Sequence, residues 1–200
     1  MVQLLLERGA RPGLRSTRGG VHPLYAACLE GHADVVRVLL SSGGDAAVDV
    51  NEIGVEADGS TALMGCCEGG HTALARLLLN RGADVGARGR SGATALFYAT
   101  QQGHDHLVRL LASHHRCDVN ARKNDGSTAL FLAVVSGRAD IVRILLAAGA
   151  DPSVRAKNGD TPLDIATKLR SCFPAVYDAL MDHKEGTGCV PIGSSSTSRS

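Results

Sequence analysis

Two hundred residues carry 21 basic and 20 acidic side chains, a formal net charge of +1, so no global field draws the chain to nucleic acid or to an anionic membrane. With no Trp, three Tyr and three Phe it lacks base-stacking platforms, and its apolar content rests on Leu, Val, Ala and Gly, which suits thin helices packed side by side. No apolar run approaches the ~20 residues that span a bilayer, and the N-terminal MVQLLLERG has too short an apolar core, and no cleavage site, for a signal peptide.

The six cysteines (28, 66, 67, 117, 172, 189) show no paired spacing. Cys28, Cys66 and Cys67 fall on helical stretches among small apolar residues, where a free thiol behaves as a small hydrophobe. A reducing, intracellular setting, cytoplasmic or nuclear, is expected.

In chain order, residues 2–10, VQLLLERGA, read as the end of an amphipathic helix whose partner is missing. The end of a stacked array normally presents a polar face, and this one would expose Leu and Val. The chain is therefore expected to be a fragment of a longer array or to be covered at that edge. The next connection carries Arg8, Arg11, Arg15 and Arg18 with no acid between them. HPLYAA at 22–27 starts a short apolar helix, Gly31-His32 a bend, and VVRVLL an amphipathic second helix. Residues 41–60 follow, with Asp45, Asp49, Glu52, Glu56 and Asp58 and no Lys or Arg.

The same helix pair then recurs. Short-helix starts TALMGC at 61, TALFYA at 94, TALFLA at 128 and TPLDIA at 161 follow the one at 22 at intervals of 39, 33, 34 and 33 residues. Gly70-His71 and Gly103-His104 repeat the bend, and LARLLL, LVRLLA and IVRILL repeat the second helix. In residues 125–152 the second helix stops at Ala-Gly-Ala-Asp, as an αL cap requires. Neither helix of such a unit buries its apolar face alone, so the units must stack. In the third unit His115 stands where the cap Gly belongs, and Asp118 reads as a one-residue insertion, so that turn is expected to be remodelled. In the fifth, Arg170 replaces the bend Gly, Pro174 opens the last helix, and Val176, Leu180 and Met181 are expected to cover the array's end.

A period near 33 with this pattern resembles the ankyrin-repeat family over about residues 1–181. The resemblance implies an all-α solenoid of helix-turn-helix units joined by hairpin-like fingers. Its units would be a truncated repeat at 1–17, repeats at 18–57 (with an extended acidic finger), 58–89, 90–123 and 124–156, a capping repeat at 157–183, and a disordered Ser/Gly-rich tail at 184–200. It also implies protein recognition, as adaptor or scaffold, with finger tips and the exposed short-helix face as the contact surface. Carried onto this sequence, the tips are Arg18, Asp58, Arg90, Ser91, Asn124, Asp125, Lys157 and Asn158. The helix face is Leu29, Glu30, Glu68, Gln101, Gln102 and Val135. An alternative is the recognition portion of a larger protein, such as a ubiquitin-ligase substrate receptor, an enzyme or a channel.

The repeated residue types have physical jobs. Thr61, Thr94, Thr128 and Thr161 begin the short helix, where a hydroxyl accepts from a backbone N–H, and the following Leu faces inward. Where the family carries His after that Leu, this chain has Tyr25, Met64, Phe97, Phe131 and Asp164. The four large side chains either fill the space of the His or form a partly exposed anchor row in the concave groove. The oppositely charged first two fingers either compensate each other or form a polar contact strip.

His104, His106, His114, His115 and Cys117 are zinc-competent types, but His104 and His114 lie ten residues apart on one helix, ~15 Å along its axis. No metal site is expected. No phosphate-cradling loop, Gly-x-Ser-x-Gly or HExxH is present, so neither catalysis, nor a cofactor, nor a small-molecule substrate is expected.

Overall fold

The computed structural model describes residues 22–41, 48–53 and 59–188, with side chains described to Lys184. The truncated unit at 1–17, the arginines up to Arg18, and Asp45, Glu56 and Asp58 lie outside the described residues. So does the tail from 189 onward.

Each repeat folds as an inner helix, a glycine bend and an outer helix. The inner helices are α1 (Pro23–Leu29), α3 (Ala62–Gly69), α5 (Ala95–Gln102), α7 (Ala129–Val135) and α9 (Pro162–Lys168). The outer ones are α2 (Ala33–Ser41), α4 (Thr72–Asn80), α6 (Asp105–Ala112), α8 (Ala139–Ala147) and α10 (Pro174–Gly188). Inner helices stack α1 on α3, α3 on α5, α5 on α7 and α7 on α9, while α4, α6, α8 and α10 stack as the second row. Among the described residues there is no strand, so the chain is an all-α repeat solenoid. One continuous apolar core runs through it, and Leu24, Leu63, Leu96 and Leu130 are each at most 2% exposed. The last of the series, Leu163, is only half-buried.

The threonine caps form as the sequence indicates at three of four places. Thr61 Oγ1 accepts from Met64 N at 3.4 Å and Thr128 Oγ1 from Phe131 N at 3.2 Å. Thr161 makes a reciprocal capping box with Asp164. Thr94 is buried at its cap position but makes no such bond.

The bends show why Gly-His recurs. Gly31, Gly70, Gly103 and Gly137 all have φ between 71° and 82°, a region closed to most side chains. Each also lies directly under a side chain from the next repeat. A Cβ there would meet His71, His104, Arg138 and Phe173 in turn at 1.4–2.7 Å. The His71 ring nitrogen Nε2 donates to Leu29 O at 3.0 Å, and Arg138 Nη2 to Gln101 O at 3.1 Å. The residue after one bend therefore caps the inner helix of the repeat before it. In the last repeat, which lacks the bend Gly, Phe173 occupies that place instead, and Phe173 N bonds Leu169 O at 2.8 Å.

The remodelled third turn is present. In the repeats that keep the cap Gly, Ala83 N reaches back to Leu78 O and Ala150 N to Leu145 O, both at 2.9 Å. In the third repeat His114 N bonds Leu111 O and Cys117 N bonds His114 O, both at 2.9 Å, and the His114 and His115 rings stack at 4.6 Å. Two short turns replace one αL cap. The last helix, α10, continues to Gly188, past the boundary expected at 183. Lys184 and Glu185 are good helix formers that extend it. Val176 and Leu180 of α10 are buried against the core, with Met181 half-buried.

Candidate functional site

The fingers that flank the inner helices are tied into a strip. At each of three tips a tight turn closes through Gly92 N, Gly126 N and Gly159 N, bonding Gly89 O, Lys123 O and Ala156 O at 2.9 Å. Successive tips are joined through the main chain: Asn124 N donates to Ser91 O at 2.9 Å and Lys157 N to Asp125 O at 3.0 Å. Arginines at one register position reinforce this. Arg88 Nη2 donates to Arg122 O, and Arg122 Nη2 to Arg155 O at 2.7 Å. Arg122 Nε and Arg155 Nη1 also close their own turns on Gly126 O and Gly159 O, at 3.3 and 2.7 Å. Asn51 and Asn120 bridge behind the tips. Asn120 donates to Gly149 O at 3.3 Å and accepts from Asp151 N at 2.8 Å, and Asn51 does the same with Gly82 O and Asp84 N.

Against this strip, the inner helices α5 and α7 leave an open groove of ≈ 490 Å³. Its helix side is apolar, with Phe97, Phe131, Leu132 and Val135; its finger side carries Lys123, Asp125 and Lys157. Val135 is 43% exposed, one of two large apolar side chains so exposed among the described residues. Lys123 Nζ lies 4.6 Å from the Phe97 ring centroid and 3.8 Å from Asp125 Oδ2. The Asp125 carboxyl is held below the usual carboxylate range, first by the Ser127 hydroxyl and then by the Ser127 N–H, with Lys123 adding to it.

Of the residues singled out from the sequence, Phe97, Gln101, Asp125, Phe131, Val135, Lys157 and Asn158 come together in this groove. Others are placed differently. Met64 is 1% exposed and Tyr25 7%, so the apolar row is not an exposed stripe along all four repeats. Tyr25 seats its ring on Gly65, where a Cβ would come within 3.1 Å of Cδ2, and its hydroxyl donates to Glu68 Oε2 at 3.1 Å. Burial, then the Glu68 carboxylate, raises the Tyr25 hydroxyl well above its ordinary value. Phe97 is 7% exposed beneath Lys123, and only Phe131 of the row is half-exposed.

Several tip side chains have structural jobs. Asn124 Nδ2 donates to Arg90 O at 2.7 Å. Ser91, Asp125 and Asn158 each accept from the backbone N–H two residues on, Ala93, Ser127 and Asp160. Glu30, Arg90, Gln101, Gln102 and Lys157 are exposed, and Leu29 is half-buried. Arg18 and Asp58 lie outside the described residues. The described acids of the 41–60 segment are used locally, Asp49 accepting from Asn51 N at 2.9 Å and Glu52 Oε2 lying 2.8 Å from the buried His22 Nε2.

Among the described thiols, three are shut away in the core. Cys28, Cys66 and Cys67 are fully buried. A hydrogen bond with Cys28, then burial, raises Cys66, and burial pushes Cys117 up to about 11. Among the described residues no group of three metal-ligating side chains converges, and no helix is long and apolar enough to cross a membrane.

The family model of ankyrin repeats (3 copies) matches residues 1–89 and 87–156. Among curated proteins none matches the chain.

Proposed function

Because this chain belongs to the ankyrin-repeat family, we propose that it is a protein-binding adaptor or scaffold that holds its partner in the concave groove between α5, α7 and the finger strip. The observation that carries the reading is Val135, exposed on the apolar side of the groove, which half-buried Phe131 also lines. Aliphatic and aromatic side chains so placed act as anchors when a partner dries them. One repeat offers too little area for a specific interface of ~800 Å² per partner, so the partner spans at least two repeats. Gln101, Lys157 and Asn158 would contact it at the groove, with Arg90 extending the rim and Leu29, Glu30, Glu68 and Gln102 the helix face. The reading carries no catalytic step, and the buried thiols suit a reducing, intracellular setting.

A photo-crosslinking side chain tests this. Placed at Val135, it should give adducts with partner protein in cells, while the same group at Arg76, exposed on the outer helix α4, should not. Adducts at position 76 and none at position 135 would move the binding face to the convex side.

A further inference from the structure

The groove's two walls differ in chemistry. The helix wall offers Phe131, Leu132 and Val135. The finger wall carries two ammonium groups and one carboxylate, and the carboxylate is turned into its own turn, accepting from Ser127 N at 2.9 Å and from the Ser127 hydroxyl. Lys123 is half-used by Asp125 at 3.8 Å. Lys157 has no ion-pair partner among the described residues and is exposed. The nearby acids are compensated elsewhere: Asp160 pairs with Lys168 at 2.8 Å, and Asp164 closes the α9 cap with Thr161. The finger wall therefore carries an uncompensated positive charge beside an apolar floor. Its backbone cannot add a strand from a partner at the tips, because the tip amides of Asn124 and Lys157 already bond the preceding finger. Recognition falls to side chains.

We infer that the partner presents a peptide segment in which a large apolar side chain sits within a few residues of a carboxylate, the apolar group seated on Phe131 and Val135 and the carboxylate on Lys157 and Lys123. This rests on the concave-groove reading and adds the chemistry of what the groove selects. The pairing follows from charge complementarity: the apolar residue gains from a water-excluding floor, and the carboxylate meets a cation that has no competing partner. A basic segment would be repelled by the same wall.

Selection from a phage-displayed library of randomised peptides, run on the full chain and on the Lys157→Glu and Lys123→Glu/Lys157→Glu variants, tests it. Wild type should enrich peptides with Asp or Glu close to Leu, Ile, Phe or Trp, and the variants should enrich Lys or Arg beside the same apolar residues. A synthetic peptide of the wild-type consensus should bind Lys157→Glu roughly tenfold more weakly and lose affinity with added salt. Lys157→Glu alone is retained because its exposed side chain leaves the fold intact, which circular dichroism and melting check. Enriched peptides that are apolar without an acidic preference would overturn the charge pairing and leave the groove reading standing. Peptides that bind Val135→Glu as well as wild type would overturn both. No enrichment over a library panned on bare support would also count against the proposal.

Discussion

Replacing Gly69 with Ala separates close packing from ordinary helix preference. In a free helix the change would help, by up to ~1 kcal/mol. Here a Cβ at Gly69 would lie 2.2 Å from Leu29 O, against an ordinary contact of 3.4 Å or more, and 2.7 Å from His71 Cδ2. The nearest atom is backbone, so α1 must move about 1 Å away from α3, and overpacking of this kind costs ~1–3 kcal/mol. The movement also strains the His71–Leu29 bond and the Tyr25–Glu68 bond beside it. A net loss of ~1–2 kcal/mol is expected in urea melts. In a nearest-neighbour array the damage stays local, so amide exchange should quicken at 23–29 and 62–69 and not at 129–147. Gly82→Ala is the contrast: with φ 85° and nothing within 4 Å, its cost of ~1–2 kcal/mol is conformational alone. A Gly69→Ala protein as stable as wild type, or more so, would refute the packing argument.

Leu130, 1% exposed with repeats on both sides, should lose ~2–5 kcal/mol on truncation to Ala, and a loss below ~1 kcal/mol in urea melts would contradict its place in the core. Asn120→Ala removes both bonds to Gly149 O and Asp151 N and should cost ~0.5–1.5 kcal/mol, since the freed groups can still reach water. Asp125, Asp151 and Asp164 all have carboxyls lowered by the hydroxyls and N–H groups of Ser127, Ser153 and Thr161. A lowered folded-state value stabilises above the unfolded value of ~3.9 and is lost as pH falls through the folded value. The melting temperature should therefore drop on acidification from about pH 5 to pH 2, less steeply in an Asp125→Asn/Asp151→Asn variant; identical slopes would discount these caps.

The repeat register was readable because its period is carried by Leu, Gly and Thr, whose positions are dictated by burial, by positive φ and by capping. The groove's membership was half readable, since position within the repeat singles out Phe97, Phe131, Val135 and Lys157, which all line it. What one sequence does not reveal is the covering neighbour. Tyr25 and Met64 share the register of Phe131 yet are buried, and Tyr25 is so because Gly65 gives it a seat. The arginine ladder escaped for a similar reason: Arg88, Arg122 and Arg155 look like solvated surface charge, yet Arg88 and Arg122 donate to main-chain carbonyls of the next finger and Arg155 to Gly159 O of its own. Their common register, and the Asp-Val-Asn shared by 49–51 and 118–120, were the available signals. Phe173 standing in for the bend histidine was foreshadowed only by the missing glycine at Arg170.

The central claim, that the concave groove holds the partner, is tested most directly by quantitative affinity capture with three matched proteins. These are wild type, Val135→Glu and Arg76→Glu, the last two each adding one carboxylate to an exposed position, in the groove and on the convex face. With all three shown to melt alike, the proteins enriched on wild type should remain on Arg76→Glu and be lost from Val135→Glu. An unchanged set on Val135→Glu, or its loss from Arg76→Glu alone, would contradict the account.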